Sequence, residues 1–376
     1  MGAAVEIVAV RPDSREETEF IQLPLRLYAD SPHYVPWFER SMKNIIARRH
    51  PFFEHSDGEC FIARRDGHTV GRVAMLEPKR YNDYHKSRDA RFYFIELEDD
   101  QAVANALFDH AAVWARARGL TDLVGPQGFS SLAGSGILIH GFDRTASMTM
   151  MPYQHAYYRG LVEAAGFEKE KDFHSPYLDA STHDLTPKYA RAAEIAMKRG
   201  RFWIPDYRTK RELRAVAQEI REAYNDAWRE RDVFTPLTEA ELDQLVDELL
   251  LVSDPSLIRV LRSGDTMAGF ILAFPDLSGA MVKARGKLNL LTYLRLMWEK
   301  RRTRRFLING FGLRPEYRGA GGTELLFFEI TRILKERGVE GAEMTQIAAD
   351  NEPMMANVER LNADIVKTHR VYRKAL

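Results

Sequence analysis

One arrangement of elements occurs twice in this sequence, and it limits the fold more than any other feature. Each copy begins with two β-rich runs around a short turn, at Asp66 and Gly67 in "ECFIARRDGHTVGRVAML" and at Ser263 and Gly264 in "SLIRVLRSGDTMAGFILAF". Such runs predict β-hairpins. Downstream of each hairpin, an apolar stripe of helical period ends in Arg-Gly and is followed at once by a strand-like run.

The apolar stripes predict one helix in each copy. They are formed by Val103, Leu107, Ala111 and Trp114 in the first copy and by Leu326, Ile330, Ile333 and Leu334 in the second. Gly119 and Gly338 are where these helices are expected to end. Each half is interpreted as strand, one or two helices, hairpin, strand, helix, strand, helix and strand. Because 376 residues exceed one ordinary core, we predict two similar α/β (α+β) domains in tandem, with chance similarity of two α/β halves as the alternative.

Composition excludes several classes of protein. The chain is 45% hydrophobic and 29% charged, which is typical of a globular protein. Its 54 Lys and Arg balance 54 Asp and Glu, so the whole chain lacks the basic excess of nonspecific nucleic-acid binding. Cys60 is the single cysteine, and the histidines show no metal-ligand spacing, so we expect neither a disulfide nor a metal. Without a signal peptide or a long apolar run, a cytoplasmic protein with no membrane span is expected.

A basic insertion accounts for the main difference between the two copies. The second copy has about 22 more residues between hairpin and helix, within "SGAMVKARGKLNLLTYLRLMWEKRRTRR". Nine Lys and Arg at residues 283–305 are interleaved there with Leu290, Leu291, Leu294 and Trp298. A basic amphipathic helix of this kind can contact anionic lipid, nucleic acid or an acidic substrate. We favour the simpler interpretation, a solvated face over the core of its own domain.

A glycine-rich turn carries the clearest chemistry. The run "RFLINGFGLRP" predicts a strand at residues 305–313 that stops at Pro315, and "RGAGGT" then leads into the second helix. In a strand, glycine-rich turn and helix, successive backbone N–H groups and the positive helix end converge on a phosphate. The spacing fits neither the Gly-Lys-Ser/Thr loop of NTPases nor the Gly-x-Gly-x-x-Gly dinucleotide fingerprint. The turn therefore predicts a phosphate-bearing ligand of another kind.

The turn resembles motif A of the GNAT superfamily of acyl-CoA N-acyltransferases, Arg/Gln-x-x-Gly-x-Gly/Ala. The matching residues are Arg318, Gly319, Ala320, Gly321, Gly322 and Thr323, the last of which stands where the family usually has Gly or Ala. The resemblance continues through the helix, the strand "AEMTQIAADN" with Asn351 beyond it, and the closing "LNADIVKTHRVYRKAL". It implies two tandem GNAT-like domains, each a mixed twisted sheet flanked by helices. It also implies acetyl-CoA, or another acyl-CoA, as co-substrate.

The resemblance further implies where the acyl donor binds. In this family an acceptor amine attacks the thioester directly, and a splayed strand holds the pantetheine arm. Carried over, the end of that strand is Phe311, Gly312 and Leu313. Gly310 and Gly312 predict a β-bulge, which is structural in the simplest interpretation and is also what opens such a strand.

The catalytic acid and base are less clear from the resemblance. The family's usual acid is a tyrosine, and Val358 takes its place here. Tyr372 and His369 are candidates to replace it, although a tyrosine in "HRVYRKAL" is more simply a packed strand residue. Glu343 is the candidate base, although a carboxylate at a strand end is more simply solvated.

One acyl-CoA site is expected in the two domains. In place of a glycine turn the first half has Glu96, Glu98, Asp99 and Asp100, and such carboxylates repel an anionic ligand. We therefore predict a degenerate GNAT-like domain without a phosphate loop at residues 1–180, a linker with a helix at 181–200 and a GNAT domain with the acyl-CoA loop at 201–376.

The favoured function is transfer of an acyl group, acetyl in the first place, from acyl-CoA to a small-molecule or peptide amine. A CoA-binding regulator without catalysis is one alternative, which the missing tyrosine at Val358 favours. A tRNA-dependent aminoacyl transferase is the other, because tandem GNAT-like domains also occur in such enzymes. Nucleic acid would then contact the insertion at 283–305, against the overall neutrality of the chain. Neither the acceptor nor the oligomeric state follows from the sequence.

Overall fold

The computed structural model describes residues 4–129, 133–181, 187–232 and 234–376. The chain forms two compact units. Unit 1 contains the described residues up to His174 together with Ser278–Leu296 and Lys367–Leu376, and unit 2 contains those of Ser175–Leu277 and Met297–Val366. The predicted division at 1–180, 181–200 and 201–376 stays a prediction.

The first half of the chain alternates helices and strands. Its elements are β1 (Glu6–Ala9), α1 (Arg15–Leu27), α2 (Glu39–Ile46), β2 (Asp57–Arg65), β3 (His68–Glu77), α3 (Lys79–His85), β4 (Asp89–Leu97), α4 (Gln101–Arg116), β5 (Asp122–Gly125), β6 (Ile137–His140), α5 (Tyr157–Ala164) and β7 (Glu168–Asp179).

The second half opens with four helices before its first strand. Its elements are α6 (Pro187–Lys198), α7 (Lys210–Ala215), α8 (Ala217–Trp228), α9 (Glu239–Val252), β8 (Ile258–Ser263), β9 (Thr266–Pro275), α10 (Ser278–Ala284), α11 (Leu290–Arg302), β10 (Arg305–Leu313), α12 (Gly322–Glu336), β11 (Gly341–Met344), β12 (Ile347–Ala348), α13 (Glu352–Arg360) and β13 (Asp364–Ala375).

Unit 1 is a mixed sheet with helices on both faces. Its strands lie in the order β1, β2, β3, β4, β5 and β13, and only β4 and β5 are parallel neighbours. Phe92, Leu107 and Tyr158 are fully buried on the face covered by α4 and α5, while Phe20 and Ile62 are fully buried on the face covered by α1 and α2. The last strand of the chain thus completes the sheet of unit 1.

Unit 2 is a second mixed sheet, and it contains the predicted glycine turn. Its strands lie in the order β7, β11, β10, β9 and β8, of which only β10 and β11 are parallel neighbours. Leu326, Phe327 and Ile330 of α12 are fully buried in its core together with Ile271 and Ala273 of β9.

The repeat predicted from the sequence is confirmed in the order of elements. Hairpin, strand, helix and strand follow one another as β2, β3, β4, α4 and β5 and again as β8, β9, β10, α12 and β11. All eight residues of the two predicted stripes are buried. The helices end just before Gly119 and Gly338, which both have positive φ.

Two local predictions were wrong. Ser263 is the last residue of β8 and pairs with Thr266, so the second hairpin turn consists of Gly264 and Asp265. The predicted first strand of the second half is reduced to a single antiparallel bridge between Trp203 and Arg262 within the described residues of that region. Proline at position 205 has no N–H to donate, which explains why this ladder does not continue.

The basic insertion forms α10 and α11, where the sequence predicted an extra segment. Its basic residues are at least partly solvated and Thr292 and Leu296 of α11 are buried, as the simpler interpretation expects. Four of its large apolar residues depart from that interpretation because they are exposed: Leu290, Leu291, Leu294 and Trp298.

Candidate active site

Strand β10 is opened by a bulge at its first glycine. Its register with β9 shifts between Ile308 and Phe311, and Gly310 lies in the bulge with φ of 129°. Residues with a side chain rarely adopt this φ, and a Cβ at position 310 would also come within 2.9 Å of the Leu272 side chain, so the position strongly favours glycine. The parallel pairing of β10 with β11 ends at Ile308 and Met344. The predicted bulge is therefore present, and it lies where the two parallel strands stop pairing.

The end of β10 is fixed by contacts with β9, α8 and α12. Gly312 and Leu313 pair with β9, and the ring of Phe311 lies 5.1 Å from that of Phe327 in α12. The carbonyl of Phe311 accepts a hydrogen bond of 3.1 Å from the indole N–H of Trp228 in α8. The three residues predicted to meet the acyl donor thus lie on a fixed strand end between α8 and α12.

The glycine turn connects this strand end to the start of α12. Pro315–Tyr317 form one turn of 3₁₀ helix, after which Gly319 has φ of 70° with no atom within 4 Å of its Cβ position. Gly321 is the N-cap of α12, and as a glycine it has no side chain that could accept a hydrogen bond from the first amides of this helix. Those amides, at Gly322 and Thr323, are groups of the kind that bind phosphate oxygens.

Helix α6 packs directly against the turn. A Cβ at Gly321 would lie 2.8 Å from the Cβ of Ala196, and Ala193 and Ala196 are both buried. Sequence reasoning missed this contact, for which the small residues of "YARAAEIAMK" were the only signal. The turn therefore has one glycine against a neighbouring helix, at 321, and one open to solvent, at 319.

Arg318 lies at the start of the turn, and its charge acts on a second arginine, Arg231. Arg318 donates to the carbonyl of Ala227 at 2.8 Å and contacts Glu230 at 3.3 Å. Burial, and then the positive charge of Arg318, lower the pKa of Arg231. The charge of Arg318 therefore acts on Arg231. Three carboxylates act in the opposite direction: Asp350, Asp232 and Glu230. Nothing in the sequence pattern singled out Arg231.

The corresponding helix start in unit 1 is closed by its own carboxylate. Asp100 is the N-cap of α4 and accepts from the amides of Ala102 at 2.8 Å and Val103 at 3.4 Å. Arg65 contacts the same carboxylate at 2.6 Å, and this hydrogen bond lowers the pKa of Asp100. This cap supports the prediction that the acidic run of the first half excludes a second phosphate site.

The predicted residues beyond the turn have clear positions in unit 2. Glu343 is buried on β11, where it pairs with Leu307 of β10 and Tyr177 of β7. Its neighbour Met344 is the last residue of β11 that pairs with β10. The side chain of Asn351 caps α13 by accepting from the amide of Met354 at 3.3 Å. Val358, in the position of the family's tyrosine, is buried in the core. Catalysis by Glu343 and acyl-CoA contact by Asn351 stay predictions.

Tyr372 lies in unit 1, whereas the glycine turn lies in unit 2. Its ring is fully buried in the core beneath α4 and α5, and its hydroxyl donates to Glu163 at 3.2 Å. Burial, and then the charge of Glu163, raise the pKa of Tyr372 to about 12. A catalytic role for Tyr372 stays a prediction, and the contacts it makes are those of a packed strand residue.

A pH-dependent loss of stability is expected from His369. Burial lowers the pKa of this fully buried side chain to about 3, while its Nε2 donates to the Pro152 carbonyl at 3.0 Å. The unfolded chain takes up this proton near pH 6.5, so it binds more protons than the folded chain between pH 6.5 and 3. The free energy of unfolding should therefore fall as the pH drops through this window, by at most about 1.4 kcal/mol per pH unit.

Urea unfolding at several pH values, for the unmodified protein and His369→Gln, checks this expectation. Glutamine keeps a donor for the carbonyl but does not titrate. The stability of the unmodified protein should fall more steeply with acid than that of the variant, and equal slopes would contradict the assignment.

Two further features of the site region concern ions and membranes. Among the described residues, no group of three or more His, Cys, Asp or Glu side chains is placed to hold a metal ion. No helix in the described part of the chain combines the length and apolarity needed to cross a bilayer.

Comparison with known proteins decides the family. No family model matches the sequence. The chain is 30% identical over 387 residues to bacterial ceramide synthase from Caulobacter vibrioides (strain NA1000 / CB15N), a match that covers 100% of this chain and 98% of that protein. The chain belongs to the bacterial ceramide synthase family. It is also 25% identical over 366 residues to protein YghO from Escherichia coli (strain K12), over 95% of this chain and 92% of that protein.

Solved structures bear on the fold of this member of the bacterial ceramide synthase family. A tandem GNAT protein from the clavulanic acid biosynthesis pathway matches with a TM-score of 0.56 and 15% identity, over 99% of this chain and 98% of that chain. The predicted tandem GNAT fold is therefore confirmed. Together with the family, this fold makes the chain an acyltransferase; its acyl donor and acceptor are matters of proposal.

Proposed function

We propose that this protein transfers a long acyl group from acyl-CoA to the primary amine of a long-chain base, forming an amide of the ceramide type. The observation that carries the proposal is the uncapped glycine turn at the start of α12, beside a strand opened at Gly310. The relationship to bacterial ceramide synthase supports a lipid acceptor. It also favours a long acyl chain over the acetyl group that we expect from the turn alone.

The turn and its neighbours would hold the donor by its phosphates. The amides of Gly322 and Thr323 carry the positive end of the helix dipole. Arg318, at the end of the 3₁₀ turn, adds a positive charge beside these amides, and its charge also acts on Arg231. This set of groups matches a diphosphate better than it matches a neutral ligand.

The open strand end would hold the pantetheine arm and the thioester. Phe311, Gly312 and Leu313 pair with β9 at a point where pairing with β11 has ended, so the strand edge on the β11 side is open there. In an antiparallel ladder alternate residues direct their peptide groups to that open side. A peptide N–H in such a position can stabilise the oxyanion that forms on the thioester carbonyl. Trp228 and Phe327 hold this strand end in place, and a thioester bound to it would therefore have its carbonyl carbon held in one position.

The proposed reaction is direct transfer. The amine nitrogen attacks the thioester carbon, the C–S bond breaks, and CoA leaves as thiolate while the nitrogen loses one proton to a base. We propose Glu343 for that base, because it lies next to the point where β10 and β11 stop pairing. A thiolate leaves more readily than the amine, so the reaction tolerates valine at position 358.

Amide formation from palmitoyl-CoA and sphinganine tests the proposal. We expect N-palmitoyl product by mass spectrometry, with one free CoA thiol released per amide. Palmitoyl-CoA should exceed acetyl-CoA in kcat/KM by at least about tenfold, because each buried methylene contributes about 0.8 kcal/mol. Binding of both acyl-CoAs without any product would instead identify a CoA-binding regulator. Preference for acetyl-CoA with a small polar amine would contradict the lipid acceptor while retaining acyl transfer.

A further inference from the structure

Helix α11 exposes an apolar face that nothing in the described chain covers. Leu290 is 75% exposed, Leu291 and Leu294 are each 56% exposed, and Trp298 is 59% exposed. With a helical period of 3.6 residues, these four positions fall on one side of the helix. Thr292 and Leu296, on the opposite side, are the buried residues of α11. The helix is therefore amphipathic with its larger apolar face directed outward.

Hydrogen bonds fix the first turn of α11 and the segment just before it. Asn289 accepts from the amide of Thr292 at 2.9 Å, and the Thr292 hydroxyl donates to the carbonyl of Lys287 at 2.8 Å. Just before the helix, the carbonyl of Gly286 accepts from the amide of Glu39 at 2.9 Å. The start of α11 is thus fixed on unit 1, and its exposed apolar residues belong to an ordered helix.

The same segment is strongly basic. Residues 278–305 contain nine Lys and Arg but a single carboxylate, Glu299, in a chain whose net charge is zero. Arg295 and Arg301 are exposed, and neither forms an ion pair with any residue that the structure describes. The guanidinium of Arg302 lies 4.8 Å from the ring of Trp298. Cations therefore lie beside and within the apolar face.

This combination decides between partners. Nucleic acid would bind the arginines but would leave the three leucines exposed to water. An acidic protein would pair with the arginines, but it would not need the row of apolar side chains. An anionic bilayer uses both, because leucine and tryptophan enter the boundary of the acyl region while arginines meet lipid phosphates. The indole ring is also the side chain preferred at that boundary.

We propose that α11 docks this protein on the surface of an anionic phospholipid membrane, with Leu290, Leu291, Leu294 and Trp298 inserted and Arg295 and Arg301 on the phosphates. The helix lies along the interface and does not cross it. This surface binding requires neither acyl-CoA nor an acceptor, so it is tested separately from the acyl transfer reaction.

Vesicle flotation of the whole protein tests the docking. The probes are vesicles of phosphatidylcholine alone and of phosphatidylcholine with phosphatidylglycerol, at low and high salt. We expect binding to the anionic vesicles at least about tenfold tighter than to neutral ones, reduced by salt, because each basic side chain near the surface adds to the attraction.

Three variants assign the binding to α11. Leu290→Gln with Leu294→Gln should weaken binding at least about tenfold by removing inserted area. Arg295→Gln with Arg301→Gln should remove the preference for anionic lipid. Val113→Gln is the matched control, because Val113 is 63% exposed on α4 outside the basic segment, and its binding should be unchanged. Circular dichroism checks that all variants remain folded.

Other occupants would give other results. Absence of binding to anionic vesicles, or binding unaffected by the α11 variants, would overturn the proposal. Self-association that the leucine variant abolishes, without vesicle binding, would assign the face to a second copy of the chain. Salt-sensitive binding of RNA that depends on the arginines but not on the leucines would also overturn it.

Discussion

Gly319→Asp is expected to lower the affinity for acyl-CoA by about a hundredfold or more while leaving the fold intact. At φ of 70°, with no atom within 4 Å of the Cβ position, this site has space for a side chain. Asp and Asn are also the residues that best tolerate the left-handed region. The new carboxylate would stand where we propose that the diphosphate binds, and two unit charges about 4 Å apart repel by up to about 4 kcal/mol in a partly solvated site. Calorimetric titration with acyl-CoA measures the loss.

Gly319→Asn is the matched control, because it has the same shape without the charge. We expect its affinity to stay within about threefold of the unmodified protein, since only backbone strain remains. Equal losses for both variants would assign the effect to strain. Full affinity in Gly319→Asp would remove the turn from the proposed site. Gly321 is less suited to this test, because a side chain there would meet Ala196 of α6 at 2.8 Å and disturb packing.

Arg72→Met is expected to lower the free energy of unfolding by about 3–5 kcal/mol, since breaking a buried ion pair leaves an uncompensated charge. Arg72 is 2% exposed and donates to Glu96 and to the carbonyl of Phe20, both at 2.6 Å. Its guanidinium also lies 4.7 Å from the Phe20 ring. Chemical denaturation followed by circular dichroism measures the change.

Two controls separate the buried charge from lost packing. Arg72→Met combined with Glu96→Leu should recover most of the stability, because an apolar pair of similar volume replaces the ion pair. Arg26→Met removes an exposed pair with Glu98 at 2.8 Å and should cost at most about 1 kcal/mol. A double variant as unstable as Arg72→Met alone would show that shape, rather than charge, decides at this site.

The elements set by local pattern were predictable from the sequence. The stripes through Leu107 and Leu326, the hairpin at Gly67 and the bulge at Gly310 depend on residues a few positions apart, whose period or conformation limits the backbone. The glycine turn was predictable for the same reason. Its six residues are contiguous, and their conformation is set mainly by glycine.

Features set by distant partners were not predictable in the same way. Residues 367–376 read as a strand, but the period of a strand does not say which neighbour it joins, and it pairs with β5 in unit 1. The charge of Arg318 acts on Arg231, which follows α8 almost ninety residues earlier, and no local pattern encodes that proximity. The pattern of α11 likewise predicted an amphipathic helix without saying which face meets the protein.

The place of the closing strand has a consequence for synthesis of the chain. β5 of unit 1 pairs with residues 372–375, which leave the ribosome about 200 residues after the bulk of that unit, or about 10 to 40 s later at ordinary elongation rates. Until then the edge of β5 lacks its permanent neighbour, while unit 2 needs no residue beyond Val366. The amino-terminal unit is thus the last to finish folding, and the nascent chain presents an open strand edge of the kind that chaperones protect.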